Sequence, residues 1–197
     1  MTVTGRPWTK PATAPIPHGV EMRRSRQSPF ARWRLLQPVP VATLWIVGLA
    51  LVKLTLHVVT SGGYGYFRDE LYFMDAGRHL DFGYVDFPPM VALLAAAIRV
   101  TTGYSLLALR FLPAVTGAAV VLLCGLMARE LGGGSFAQAL AALTALLSPI
   151  LLAVDSFFSM NPFEQLCWAL LAYLVMRMLI SSLTSINLRA TSAMRFE

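Results

Sequence analysis

Four apolar stretches organise the chain. "VPVATLWIVGLALVKLTLHVVT", residues 39–60, is long enough to cross about 30 Å of hydrocarbon as an α-helix. "LLALRFLPAVTGAAVVLLCGLMARELGGG" predicts a second span over 106–130, closed by a turn at Gly132–Gly134. "FAQALAALTALLSPILLAV", 136–154, predicts a third, kinked by Pro149 where neighbouring helices satisfy the freed carbonyl. "PFEQLCWALLAYLVMRMLIS", 162–181, predicts the fourth. Between the first two spans lies a mixed segment, 61–105, with shorter elements. Phe67 to Leu80 contains no proline and predicts a short helix, with Gly83 placed after it as a stop. Pro88 and Pro89 suit the first turn of another helix, which "MVALLAAAIRV" continues. That run is too short to span, and Arg99 stands near its end, so it predicts an interfacial helix. The expected fold is an all-α integral membrane protein: about four transmembrane helices, with an outer loop carrying two short interfacial helices.

The flanking segments differ in character. Residues 1–38 are rich in Pro, Thr, Ser and Arg without an apolar period, and predict a disordered arm. A cleaved signal peptide has an apolar core of roughly 7–15 residues, shorter than the run at 39–60, so that run is expected to be retained. A twin-arginine export signal is disfavoured by the same length and by Lys53 within the run. The last stretch, "SLTSINLRATSAMRFE" at 182–197, has no apolar period. It is open to two interpretations, a polar cytoplasmic tail or a truncation.

Composition agrees with the pattern. Apolar types make up 56% of the 197 residues and charged types only 13%, against about 25% charged in an ordinary soluble domain. The net charge of +6 would suit a nucleic-acid binder, but its distribution argues otherwise. Seven of the sixteen Lys and Arg precede the first apolar run, with Glu21 the one acid among them. Basic residues held on the cytoplasmic side of a membrane give that pattern, so nucleic acid is not expected as a partner. The orientation that follows is a plasma-membrane protein with a cytoplasmic N-terminus. Arg129 and Arg177 then mark inner helix ends, and the acids of 61–105 lie outside. Cys124 and Cys167 fall inside apolar runs and are expected as small core residues rather than a disulfide.

Charge is concentrated in the outer loop. Five of the ten acids, Asp69, Glu70, Asp75, Asp81 and Asp86, lie in "SGGYGYFRDELYFMDAGRHLDFGYVDFPPM". Asp75 and His79 have the i, i+4 spacing of an exposed helix-supporting pair, and Asp81 suits local turn chemistry. Asp69, Glu70 and Asp86 flank one short helix and the mouth of the next, so a fold-back of the loop would gather them. Carboxylates gathered at a membrane surface can deprotonate a hydroxyl or hold a divalent cation; a merely solvated acidic loop is the plain alternative. Lys53 and His57 lie one turn apart on the first span. Lys53 is expected either to snorkel to the outer headgroups or to meet a lipid phosphate from an internal cavity.

The segment "GYFRDELYFMDAGRHLDFGYVDFPPMVALLAAAIR" resembles the first outer loop of GT-C class membrane glycosyltransferases. The resemblance is to the dolichyl-phosphate-mannose protein mannosyltransferase and aminoarabinose transferase group, including the galacturonosyltransferase-like domain. Its carriers are the Asp-Glu pair after the first span, the aromatic helix and "GYVDFPPM"; "FSMNPFEQLCWALLAYLV" is similar to the loop entering the fourth span. The similarity covers about 41–180. It implies transfer of a sugar from a polyprenyl-phosphate donor to a lipid, glycan or protein acceptor at the outer face, with inversion. It further implies Asp69 as catalytic base, Glu70 as its support, Asp86 as a metal ligand in the manner of some relatives, and hence a divalent cation as a possible cofactor. Arg68, Arg78 and Lys53 would neutralise the phosphate leaving group. Relatives carry a second acid where this chain has Asn161, with Asp155 and Glu164 nearby. They also have more spans and a C-terminal domain, which implies an N-terminal fragment and a separately encoded C-terminal half.

Two other classes compete with a transferase: a non-catalytic membrane subunit or lipid-binding scaffold, and a transporter fragment using its acids as a proton relay. The orientation common to all three is testable by impermeant thiol labelling of single cysteines. A cysteine at Ser61 should react from outside, and one at Ser25 should not; outside labelling at Ser25 would end the assignment.

Overall fold

The computed structural model describes residues 39–103 and 105–193; the basic arm over 1–38 and the end of the tail lie outside the described residues. Among the described residues the chain is all-helical, in seven helices. They are α1 (Val39–Thr60), α2 (Arg68–Ala76), α3 (Met90–Thr102), α4 (Leu106–Glu130), α5 (Ser135–Leu147), α6 (Pro149–Val154) and α7 (Asn161–Ala193). Three of these, α1, α4 and α7, are long and apolar enough to cross a membrane.

The third expected span is divided. Ser148 takes φ −60° and ψ 118° between α5 and α6, because a proline disfavours the helical conformation in the residue before it. Pro149 then opens α6 as its first residue, where its missing N–H is no loss. Neither piece alone reaches spanning length.

The polar stretch after 181 continues as helix to Ala193. It contains neither glycine nor proline to break the ladder. Hydroxyls around its start bond back into the helix: Ser181 donates to the Met178 carbonyl at 2.9 Å, and Thr184 to that of Ile180 at 2.8 Å. Such back-bonding lets Ser and Thr sit in a helix without outside partners. At 33 residues, α7 is about 50 Å long.

Helix α4 is the centre of the assembly and packs against α1, α3, α5, α6 and α7. One core cluster lies where it meets α1 and α5, formed by Ile46, Ala50, Ala118, Val121, Ala142, Ala145 and Leu146. Small residues bring the axes close, and Gly125 lies against the Ile46 side chain where a Cβ would overlap it. A second cluster joins the loop to the bundle, with Phe73 of α2, Val91 and Ala95 of α3, Leu109 of α4, and Phe158 and Phe163 near α7. The acidic loop is therefore folded onto the bundle through a shared core. Cys124 is half-buried and Cys167 exposed, both as free thiols, so the core placement expected for Cys167 is corrected.

Within this loop, the first short helix ends earlier than the spacing predicted. It stops at Gly77, not near Gly83, and the Gly77 N–H bonds the Phe73 carbonyl at 3.0 Å. A Cβ at Gly77 would lie 2.9 Å from both the Ala95 Cβ and the Ala96 backbone nitrogen, so only glycine lets α2 approach α3. His79 falls beyond the helix end, and the expected Asp75–His79 helical pair is lost with it. Tyr84 closes the following turn, its hydroxyl lying 3.0 Å from the Ala76 carbonyl and 2.8 Å from that of His79. Asp81 does the turn work expected of it, accepting from the Phe82 amide at 2.7 Å. Gly103, at φ 64°, ends α3 in the left-handed conformation that glycine adopts without penalty.

Ser61 is buried, so exposed Gly83 is the better labelling position for the 61–105 segment. Gly77→Ala should destabilise the fold by about 1–3 kcal/mol through overpacking against backbone that cannot yield. Gly83→Ala, with open space around it, should be near neutral. Thermal unfolding in detergent compares the two, and equal midpoints would show that the α2–α3 approach can relax.

Candidate functional site

The adjacent acids of the Asp-Glu pair point in different directions. Consecutive residues on a helix are separated by about 100°, so one side chain of the pair can face the core while its neighbour faces out. Glu70 is fully buried, whereas the Asp69 side chain is 36% exposed.

Glu70 meets Arg110 of α4 in a two-pronged ion pair. Arg110 Nε donates to Oε1 and Nη2 to Oε2, each at 2.8 Å. Glu70 Oε2 also accepts from the Phe67 amide at 2.8 Å, and Oε1 from the Phe158 amide at 3.1 Å. Phe67 has no side-chain acceptor to return the bond, so only the carboxylate half of a capping box forms. The remaining guanidinium protons go to backbone carbonyls: Nη2 to Gly65 at 2.7 Å, and Nη1 to Ser61 and to Tyr64. The Tyr64 ring covers the guanidinium carbon at 3.9 Å. All five donors of the arginine are engaged, as are four acceptor positions of the carboxylate. This is the geometry in which a buried pair recovers its dehydration cost. Glu70 is thus an anchor of the loop, with no face open to an incoming reactant.

Asp69 remains available. Its Oδ1 receives Arg68 Nε at 3.2 Å, and the Arg68 side chain is 90% exposed. One turn along the same face, Tyr72 donates its hydroxyl to Asp86 Oδ1 at 2.8 Å. That bond, accepted by a carboxylate, pushes the Tyr72 phenol above its usual pKa. The fold-back expected of Asp86 therefore reaches α2 at Tyr72, one turn from Asp69. No group of three or more His, Cys, Asp or Glu side chains able to hold a metal occurs among the described residues. Asp86 has its Oδ1 engaged by Tyr72, and no chemical step is assigned to a metal. Arg78 is exposed in the turn after α2.

Lys53 departs from both expectations. It is fully buried, and its ammonium lies 3.0 Å from Asp155 Oδ2, the Asp155 side chain being 1% exposed. With no exposed atom, it reaches neither headgroups nor a lipid phosphate in this arrangement. Asp155, expected in an outer loop, caps the C-terminus of α6 with its backbone and turns its carboxylate into the bundle.

Arg110 and the partnership of Asp155 were missed by the sequence reasoning. Arg110 stands within the apolar run of α4, far from the Arg129–Glu130 end, and an ionisable residue so placed is a signal that could have found it. Comparison with protein-family models, with curated proteins and with solved structures gives no match.

Breaking the Glu70–Arg110 pair should be costly. Arg110→Met leaves a buried, uncompensated carboxylate and should lose about 3–5 kcal/mol. Adding Glu70→Met should recover part of that loss, although the Phe67 and Phe158 amides still lack their acceptor. Unfolding midpoints of the single and double variants test this. A double variant less stable than Arg110→Met would refute the pairing as the source of the cost.

Proposed function

We propose that the chain is a sugar transferase domain working at the outer face of a cell membrane, with a polyprenyl-phosphate-linked sugar as donor. In this proposal α1, α4, the α5–α6 pair and α7 cross the bilayer, the N-terminus is cytoplasmic, and α2 and α3 lie in the outer interface. The resemblance of the Asp-Glu loop to GT-C enzymes motivates the assignment. Support for the interfacial placement comes from α3, which is apolar on both sides: Val91, Ala92 and Ala95 are buried, while Met90, Leu93 and Val100 are exposed.

One observation carries the mechanism: of two adjacent acids, one is locked into a saturated buried ion pair and the other is left accessible. A catalytic base needs access to its proton donor and a fixed position. Asp69 has the first, and receives the second from Glu70 in the same helical turn. An acceptor hydroxyl oxygen attacks the anomeric carbon from the face opposite the phosphate. Its proton passes to Asp69, the carbon–oxygen bond to phosphate breaks, and polyprenyl phosphate leaves with the electron pair. Arg68 and Arg78 are the exposed cations of this surface suited to the phosphate charge.

Asp69→Asn keeps shape and helix while removing the base. It should leave expression and unfolding midpoint intact and reduce transfer by at least about a hundredfold, the order of a lost general base. Asp75→Asn, on an exposed side chain, should retain most activity. The assay is transfer from a polyprenyl-phosphate sugar by protein in lipid vesicles. Equal rates for the two variants would refute the role of Asp69.

A further inference from the structure

Residues 155–160 link two buried ion pairs that are remote in sequence. At one end, Asp155 reaches Lys53 of α1. The next residues all engage the candidate helix or its approach. The Ser156 carbonyl accepts from the Tyr64 hydroxyl at 2.8 Å, and the Phe158 amide donates to Glu70 at 3.1 Å. The Phe157 ring packs on Phe67 with centroids 4.7 Å apart, and the Phe158 ring meets Phe73 edge-on at 6.4 Å. Phe67, Glu70 and Phe73 surround Asp69 in sequence, so this short segment braces the helix carrying it from three positions.

The bundle has a place built for the other end. Gly117 of α4 faces the Asp155 carboxylate so closely that a Cβ there would overlap it. The pair is nevertheless poorly suited to stability alone. Lys53 and Asp155 meet in distance, but neither the ammonium nor either carboxylate oxygen has a well-aligned hydrogen bond. The nearby buried His57 Nε2 and Ser159 hydroxyl are also without hydrogen-bond partners. An apolar pair of similar volume would fill such a site at equal or lower cost. What an apolar pair lacks is direction, since a charge pair fixes where the first residue of the segment points.

We propose that Lys53 and Asp155 are positioning residues, which set residues 155–160 and, through the Phe158 amide and Glu70, the orientation of Asp69 toward the acceptor. The inference rests on Asp69 being the base of the transfer reaction. Lys53 and Asp155 themselves touch neither sugar nor acceptor.

The test uses two changes in the whole protein. Lys53→Met with Asp155→Leu removes both charges while keeping volume, and so avoids stranding either one. Gly117→Ala keeps both charges and displaces the carboxylate. Each is examined in lipid by amide hydrogen exchange and by transfer kinetics. The expected result is faster exchange at 157–160 and along α2, with α5 unchanged. Transfer should fall in kcat by about a hundredfold, the scale of a misplacement near 1 Å, while donor KM stays constant. Wild-type exchange in α2 for both variants would overturn the proposal, as would unchanged kcat in an active protein. If the wild type itself transfers no sugar, the catalytic assignment of Asp69 fails separately, and exchange in α2 still decides whether the brace exists.

Discussion

Moving an arginine and a glutamate out of water is expensive, and the part of this protein built from residues 61–105 is arranged around recovering that expense. The Arg110 guanidinium and Glu70 carboxylate satisfy each other and also bind the backbone of three segments: the approach to α2, the first turn of α2 and the strip before α7. The strip before α7 is remote in sequence from the other two, and its Phe158 amide joins them through the Glu70 carboxylate. Their common register is set by this ion pair, whose hydrogen-bonding capacity is filled, together with the Tyr64–Ser156 hydrogen bond and the Phe67–Phe157 ring contact. Unfilled capacity at such a site costs more than the net contribution of the bonds made, so the three segments are fixed together.

This arrangement separates two acids that look equivalent on paper. Glu70 faces inward and fixes the helix; Asp69, a step of about 100° away, faces an accessible surface shared with Tyr72 and Asp86. Glu70, already accepting four hydrogen bonds, has no position left for a reactant, whereas Asp69 is held at a single exposed contact and can be approached. Placing the anchor next to the candidate base gives rigidity without enclosing it. The second buried pair, Lys53–Asp155, sits at the other end of the strip that reaches Glu70. The bundle and the loop are thereby joined by directional contacts as well as by apolar packing.

Helix α4 supports both pairs. It supplies Arg110 near its start and leaves room for Asp155 at Gly117 and for Ile46 at Gly125. Gain in close packing from small residues is the usual means by which helices approach in an apolar solvent. Here the same glycines admit a charged group and a branched side chain.

Much of the helical architecture was legible along the chain. Uniform apolar runs of spanning length identify α1, α4 and the apolar part of α7, because helical backbone satisfies its own hydrogen bonds wherever it lies. The disturbance at Pro149, expected as a kink and found as a division of the helix, the turn role of Asp81 and the helix following the Pro88–Pro89 pair were likewise local, set by steric rules acting over a few residues. What the chain alone did not decide was the partner of each buried charge. Lys53 and Asp155 are 102 positions apart, and Glu70 and Arg110 are 40 apart; neither separation leaves a periodic trace. The end of α2 at Gly77 was hidden for a related reason, since the limit is the Ala95–Ala96 backbone of another helix. Local sterics and hydropathy act through neighbours in sequence and can be read there. Ion pairing and close approach depend on which distant residues share a site, and only the tertiary structure brings those together.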